Sequence, residues 1–526
     1  MMQNSNLTIR PNYWSEFKLT EADIDFLYNF LLEIETPQTP HELLRALVTE
    51  RIQVEKQRLI DRAKPGGNTY LPKDTYSIGQ TIRFPGLEWQ EGTVVSTRSG
   101  NNPELPPFSV ITVEFKDGQQ RSYASGLDQH PLNQPITIDD KDPNLDVEAI
   151  LKTYGEDLVN RLSEELESNP DLVRIAGRWF PRALLVDVNQ GHLNLAEAVL
   201  DMAGGGPITT SDLLEQVELP TDVNSKLTEF SFNLALQEDG RFDEVGPSGE
   251  VLWFLRRLEP EMVQNPPVFL RYNQQPVNLE LIQPVLGLLE GQVDDELESP
   301  SKSPRDTSEE ISISLIFPHW RSGTLPLSRR IRRFFPSAYE SPRVQFSFLD
   351  ANSGQKFSGW VVRSSGYICG LGEWYQSVGA IPGSLVYVKR SKNPGEVIVR
   401  VEKRKNRDWV RTMLVGSDGG IVFAMLKQQV NTTFDERMAT YISDPTALDQ
   451  MWEGQNRNRQ NLEHIVKTYM LELSKLNPQG HVHAQELYAA VNLVRRCPPA
   501  PILELLVTRP WSTYLGDLYF RLNDET

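Results

Sequence analysis

Residues 344–362 read VQFSFLDANSGQKFSGWVV, and this stretch decides the fold. Val344, Phe346 and Phe348 alternate with Gln345 and Ser347, the period of a half-buried strand. Asp350–Ala351–Asn352–Ser353–Gly354 supplies turn chemistry, and Lys356–Val362 returns as a second strand, so a hairpin is expected.

The pattern continues outward in both directions. Upstream, Ile311–Phe317 reads as a strand, Pro318–Ser322 as a loop and Gly323–Leu327 as a short strand. Ser328 caps an expected helix over Arg329–Phe335. Downstream come the loop Arg363–Gly366, a strand Tyr367–Leu371 and a short helix Glu373–Val378. Strands Ser384–Arg390 and Glu396–Val401, joined by the turn Ser391–Gly395, complete seven strands and two short helices.

Charge singles out the same region. The chain has 526 residues and a net charge of −18, which disfavours bulk attraction to phosphate. Between Trp320 and Arg411, however, 17 Lys and Arg face 6 Asp and Glu, so the rest of the chain carries −29. One basic module inside an acidic protein suits a nucleic-acid reader on a carrier that repels non-specific contacts.

The strand order, with Leu325–Pro326–Leu327, Val344–Asp350 with Gly354, Tyr367–Leu371, Trp374–Tyr375 and Pro382–Gly383 before Val386–Val388, resembles the DNA-binding pseudobarrel of plant transcription factors and restriction-endonuclease recognition domains. Gly383–Ser384 departs from that family's usual Gly-Asp. The resemblance implies two loops gripping the major groove, His319, Trp320, Arg321 and Ser322 in one, and Arg363, Ser364 and Ser365 in the other. Arg329, Arg330, Arg332 and Arg333 would flank the first loop, and Lys389, Arg390 and Lys392 would lie on the 391–395 hairpin. Arginine suits bidentate contact with guanine or phosphate. Trp360 is expected to fill the barrel rather than touch a ligand. A basic surface docked against the chain's own acidic domains is the competing expectation.

The other segments read as scaffold. Residues 1–64 give two helices by apolar spacing, one carrying Ile24, Phe26, Leu27, Phe30, Leu31 and Ile34 with Thr20 and Asp23 resembling a capping box, and one begun by Thr39 or His41 and running through Leu43, Leu44, Leu47 and Ile52. Residues 65–138 change to period two, with strands at Thr81–Phe84, Gly92–Ser96 and Phe108–Phe115, a pattern resembling Tudor- and KOW-like SH3-like barrels. Glu114-x-Lys116 has the spacing of some nuclease sites but lacks a Pro-Asp partner.

In residues 145–286, a helix over Leu193–Met202 is followed by Gly204–Pro207, a helix opened by Thr209–Ser211, a helix over Val223–Glu238 and a hairpin 242–255. Gly206–Thr209, Asp239–Phe242 and Val245–Gly246 resemble the HARE-type helix-turn-helix and the N-terminal domain of the RNA polymerase delta subunit, which implies a transcription setting. Asp212, Glu215, Glu218, Asp239, Asp243 and Glu244 make this copy acidic, so a protein partner, RNA polymerase among the candidates, is expected. Residues 287–310, with Asp294, Asp295, Glu296 and Glu298, read as a disordered acidic linker, and residues 412–526 as a winged-helix-like domain.

Two cysteines, Cys369 and Cys497, exclude a disulfide framework and a four-ligand zinc site. His481-x-His483 lacks further ligands and reads as a helix start or surface pair. No phosphate loop, GxGxxG, HExxH or GxSxG is present. The polar Met1–Trp14 and the absence of an 18-residue apolar run lead us to expect a cytoplasmic protein without signal or membrane span.

The expected fold is therefore multidomain α+β, with winged-helix-like domains, a small SH3-like β-barrel and a seven-stranded pseudobarrel occupying 311–411. The expected function is a non-catalytic, DNA-associated adaptor that needs no cofactor, metal or small-molecule substrate. A recognition subunit of a restriction or defence system and a pure interaction scaffold are the alternatives.

Overall fold

A computed structural model describes residues 9–10, 12–63, 69–84, 87, 90–133, 142–219, 223–297, 308–338, 340–416, 420–457 and 461–523. It is a mixed α+β chain of two compact units, Met1–Leu185 and Val186–Thr526.

One local arrangement occurs three times. Each copy has a helix, a short strand (in the first copy a single bridge residue, Gln38) that leads into a capped second helix, a third helix and a closing hairpin. In the first copy the helix is Glu21–Ile34, the capped helix Pro40–Ala63, the third Val147–Glu167, and the hairpin Leu172–Ile175 with Arg178–Pro181. The second runs Gln190–Met202, Ile208–Thr209, Thr210–Val217, Ser225–Glu238, then Phe242–Glu244 with Leu252–Leu255. The third runs Leu462–Ser474, His481–His483, Ala484–Val491, Pro499–Thr508, then Ser512–Gly516 with Tyr519–Leu522.

The same backbone register ties the three together. The residue before each cap (Gln38, Ile208, Val482) pairs with a buried aromatic on the last strand (Trp179, Trp253, Phe520). The caps Thr39, Thr209 and His483 each hold the backbone N–H or side chain of an acid three residues on, Glu42, Asp212 and Glu486. A buried leucine follows each acid, Leu43, Leu213 and Leu487. Capping satisfies the open donors of the helix start, and the leucine and aromatic close the core beneath it.

The first copy is interrupted between its second and third helices by a four-stranded antiparallel meander, Thr81–Phe84, Gln90–Ser99, Ser109–Phe115 and Gln120–Ser125. Tyr70, Tyr76, Phe84 and Phe115 pack with Ile82, Val94, Ile111 and Val113 as its core.

In the second unit a seven-stranded sheet curls into a half-barrel. Its order is Glu310–Ser314, Leu385–Arg390, Glu396–Arg400, Arg343–Asp350, Lys356–Val362, Tyr367–Cys369 and Thr324–Pro326. The 344–362 hairpin forms in the register its turn dictates, with Val344 opposite Val361 and Phe348 opposite Phe357. Trp360 is 3% exposed and meets Phe254 edge to face at 5.3 Å, so it is a packing residue where the second copy joins the half-barrel. Gln345 N–H donates to Val245 O at 2.8 Å across the same seam.

Several expectations need correction. A boundary at Arg411 cuts a continuous strand, Lys403–Val415, which pairs with Ile421–Thr432 in one long hairpin. A boundary at Leu286 falls inside the helix Leu279–Glu290. The stretch expected as a disordered linker instead continues from that helix into buried Val293, Asp294 and Asp295 and the buried side chain of Glu296, because each carboxylate finds a buried donor. Residues 298–307 of that stretch lie outside the described residues. The expected helix Arg329–Phe335 is reduced to a 3₁₀ turn, Arg332–Phe334.

Candidate nucleic-acid interface

The first expected gripping loop is a helix, Phe317–Ser322, with Pro318 in its first turn, where a missing N–H costs nothing. Gly323 ends it at φ +64, where a Cβ would lie 2.6 Å from the Gly372 backbone. His319 is fully buried. Its Nδ1 lies 2.8 Å from Thr324 Oγ1 and its Nε2 2.9 Å from Glu296 Oε2. Arg496 donates to both Asp295 and Glu296, and Tyr488 Oη donates to Asp295 Oδ2 at 2.6 Å. Asp294 accepts from Ser328 at 2.7 Å and from Arg330 at 3.0 Å.

Burial alone would raise Glu296, but the charges of Arg496 and His319 outweigh it and hold the carboxyl far below its ordinary value. Arg321 is clamped by Asp449 at 3.0 and 2.7 Å, Trp320 Nε1 donates to Ala380 O, and the Ser322 hydroxyl is buried without a partner among the described residues. His319, Trp320, Arg321 and Ser322 thus join the half-barrel to the third copy and its neighbouring segments. They do not form an open grip.

The second expected loop has different surroundings. Arg363, Ser364 and Ser365 form a 3₁₀ turn at the sheet end. Arg363 donates to Pro336 O at 2.6 Å, and no carboxylate reaches it among the described residues. Burial, reinforced by the positive charge of Arg332, pushes the Arg363 guanidinium below its ordinary value. Arg390 donates to Arg333 O at 2.6 Å, and Lys392 lines the same groove as Arg390 and Phe334. Arg333 lies over the Phe334 ring at 4.7 Å and donates to Ser308 O, and Arg329 is also engaged with a neighbour. Lys389 is 3.9 Å from Glu309.

The basic module is therefore only half neutralised from within. Arg321, Arg330, Arg343, Lys356, Lys389, Arg400, Arg404 and Arg411 have carboxylate partners. Arg332, Arg363, Arg390, Lys392, Lys403, Lys405 and Arg407 have no ion pair among the described residues.

Three of these cations stand on the long hairpin, which sequence reading passed over. Its core-facing residues change side along its length. Val410 and Val430 pack with Ala439, whereas Met413, Ile421 and Phe423 join the core of the third copy. That switch leaves Arg407, opposite Gln429, and Trp409, opposite Lys427, facing solvent, with Trp409 65% exposed. The run Lys403–Arg404–Lys405–Asn406–Arg407 followed by Trp409 was the available signal.

His483 does not read as a metal ligand. It caps its helix, and burial with Arg437 nearby pushes it down to about 4, so the neutral ring accepts from Gln485 N–H. Among the described residues no cluster of three metal-binding side chains occurs, and no helix is long and apolar enough to cross a membrane.

No family model matches the chain, and neither a curated protein nor a solved structure matches it.

Proposed function

We propose that this chain is a non-catalytic adaptor that binds duplex DNA through one end of the half-barrel and holds protein partners on its helix-and-hairpin copies, the first two of which are acidic. We read those three copies as winged helices, because each has their element order, the second and third have a three-stranded 1-3-2 sheet, and in the first a single bridge from Gln38 to Trp179 takes the place of the first strand. The inserted meander is read as an SH3-like interaction barrel.

The observation that carries the proposal is the neighbouring set Arg332, Arg363, Arg390 and Lys392, left without carboxylates in a chain of net charge −18. Arginine stays charged in any fold, so like charges brought together favour an external anion. Phosphate meets that need with bidentate geometry. The DNA contact thus shifts from the His319 segment to the Arg363 turn and the 390–392 hairpin.

A protein-interaction scaffold is the second reading, favoured by the consumption of Arg321 and Arg330 by internal carboxylates. Fluorescence anisotropy of a labelled duplex across a salt series separates the two. The adaptor binds with a steep salt slope, and a pure scaffold does not bind.

A further inference from the structure

We propose that the outer face of the hairpin Lys403–Val415/Ile421–Thr432 is a second nucleic-acid site, specific for an unpaired strand, with a base stacked on Trp409. The inference rests on the reading of the chain as a polyanion binder, and it names a different ligand and a different surface.

Three observations converge on this face. Directly opposed residues of an antiparallel pair share a face, so Trp409 stands beside Lys427 and Arg407 beside Gln429, with the two pairs about 7 Å apart. Trp409 is 65% exposed, an unusual state for the largest side chain, and its neighbours Arg407 and Lys427 have no ion pair among the described residues. The strand then continues through Gln429 and Asn431 into a cleft of about 460 Å³ that Gln376, Tyr441 and Arg321 also line. That volume lies within the range of small-ligand sites.

The chemistry of this strip selects its occupant. A flat indole on a sheet offers a stacking surface that every base can use, and adjacent cations follow the backbone phosphates. The amides of Gln429 and Gln376 can donate to and accept from base edges that pairing would hide. Duplex DNA keeps its bases stacked on each other and has no use for the indole. An acidic polypeptide would satisfy Arg407 and Lys427 but leave the amide-lined cleft unread.

The test measures anisotropy of a short labelled oligothymidylate and of a duplex of equal length with the full chain. Three variants are compared with the parent: Trp409→Ala, Trp409→Phe, and the double variant Arg332→Ala/Arg363→Ala. Trp409→Ala is expected to weaken oligothymidylate binding about 5- to 150-fold, the span of one base–aromatic stack, and Trp409→Phe to retain most of it. Duplex binding should respond to the double variant and be nearly unchanged by Trp409→Ala.

Unchanged oligothymidylate affinity in Trp409→Ala, with duplex binding intact, overturns this site alone. Trp409-dependent binding of polyglutamate in place of the oligonucleotide also overturns it. If the parent binds neither nucleic acid, this site and the adaptor reading fail together.

Discussion

His319 Nε2 lies 2.9 Å from Glu296 Oε2, and both side chains are removed from solvent. A residue expected to meet DNA and a residue expected in a disordered tether instead hold each other inside the protein. Arg496, with no exposed side-chain surface, sits between Asp295 and Glu296 and completes the arrangement.

The buried acids make Arg496 a critical support. Arg496→Met leaves Asp295 and Glu296 without their main counter-charge, and removal of one partner from a buried pair costs about 3–5 kcal/mol. Urea unfolding followed by circular dichroism should show that loss in the Val186–Thr526 unit. Glu296 adds a pH dependence, since its folded carboxyl lies below the ordinary 4.5. Its contribution is complete above 4.5 and declines as pH falls below that value, so acid titration of the parent should lower stability there.

Glu244 has the opposite sign. Burial pushes its carboxyl up to about 8, and its Oε1 accepts from Gly246 N–H at 2.9 Å. The neutral form contributes fully below 4.5, and that contribution is lost as pH rises toward about 8. Glu244→Gln mimics the neutral acid, so its melting temperature should exceed that of the parent increasingly as the pH rises across this window. Parallel curves would show that Glu244 is ionised in the fold.

Trp253 anchors the second copy twice. Its ring is fully buried, and Nε1 donates to Asn233 Oδ1 at 2.9 Å and to Thr210 Oγ1 at 3.2 Å. Trp253→Ala should cost about 3–5 kcal/mol by chemical denaturation. Trp253→Phe should recover most of the packing and leave Asn233 and Thr210 short of a donor, a residual cost of about 1–3 kcal/mol.

Cys369 and Cys497 are buried, and burial pushes both thiols up to about 12. Thiolate is the reactive form, so iodoacetamide should label neither in the folded protein and both in denaturant. Mass spectrometry distinguishes the two states.

The 344–362 hairpin was legible because alternation and turn chemistry agree there, and both are local. The first and third helices of the second copy followed from apolar spacing in the same way, ending within a few residues of the expected bounds. The first copy went unread because the meander separates its second helix from its third, although Pro37–Gln38–Thr39 and Pro207–Ile208–Thr209 begin the two equivalent helices alike.

Acidic residues were the least legible. Asp294–Asp295–Glu296 has the composition of a solvated linker, and only tertiary partners at His319, Ser328 and Arg496 explain its burial. For the same reason the candidate site split in two. Partners distant in sequence claimed Arg321 and Arg330 and left Arg332 and Arg363 unclaimed.

The most direct measurement is the salt dependence of duplex DNA affinity for the parent and for Arg332→Ala/Arg363→Ala. Each phosphate contact contributes about 0.9 to the slope of log affinity against log salt, so the double variant should be shallower by about 1.8 and weaker at every salt concentration. Equal slopes and equal affinities in the two proteins would contradict the assignment of this cation cluster to DNA.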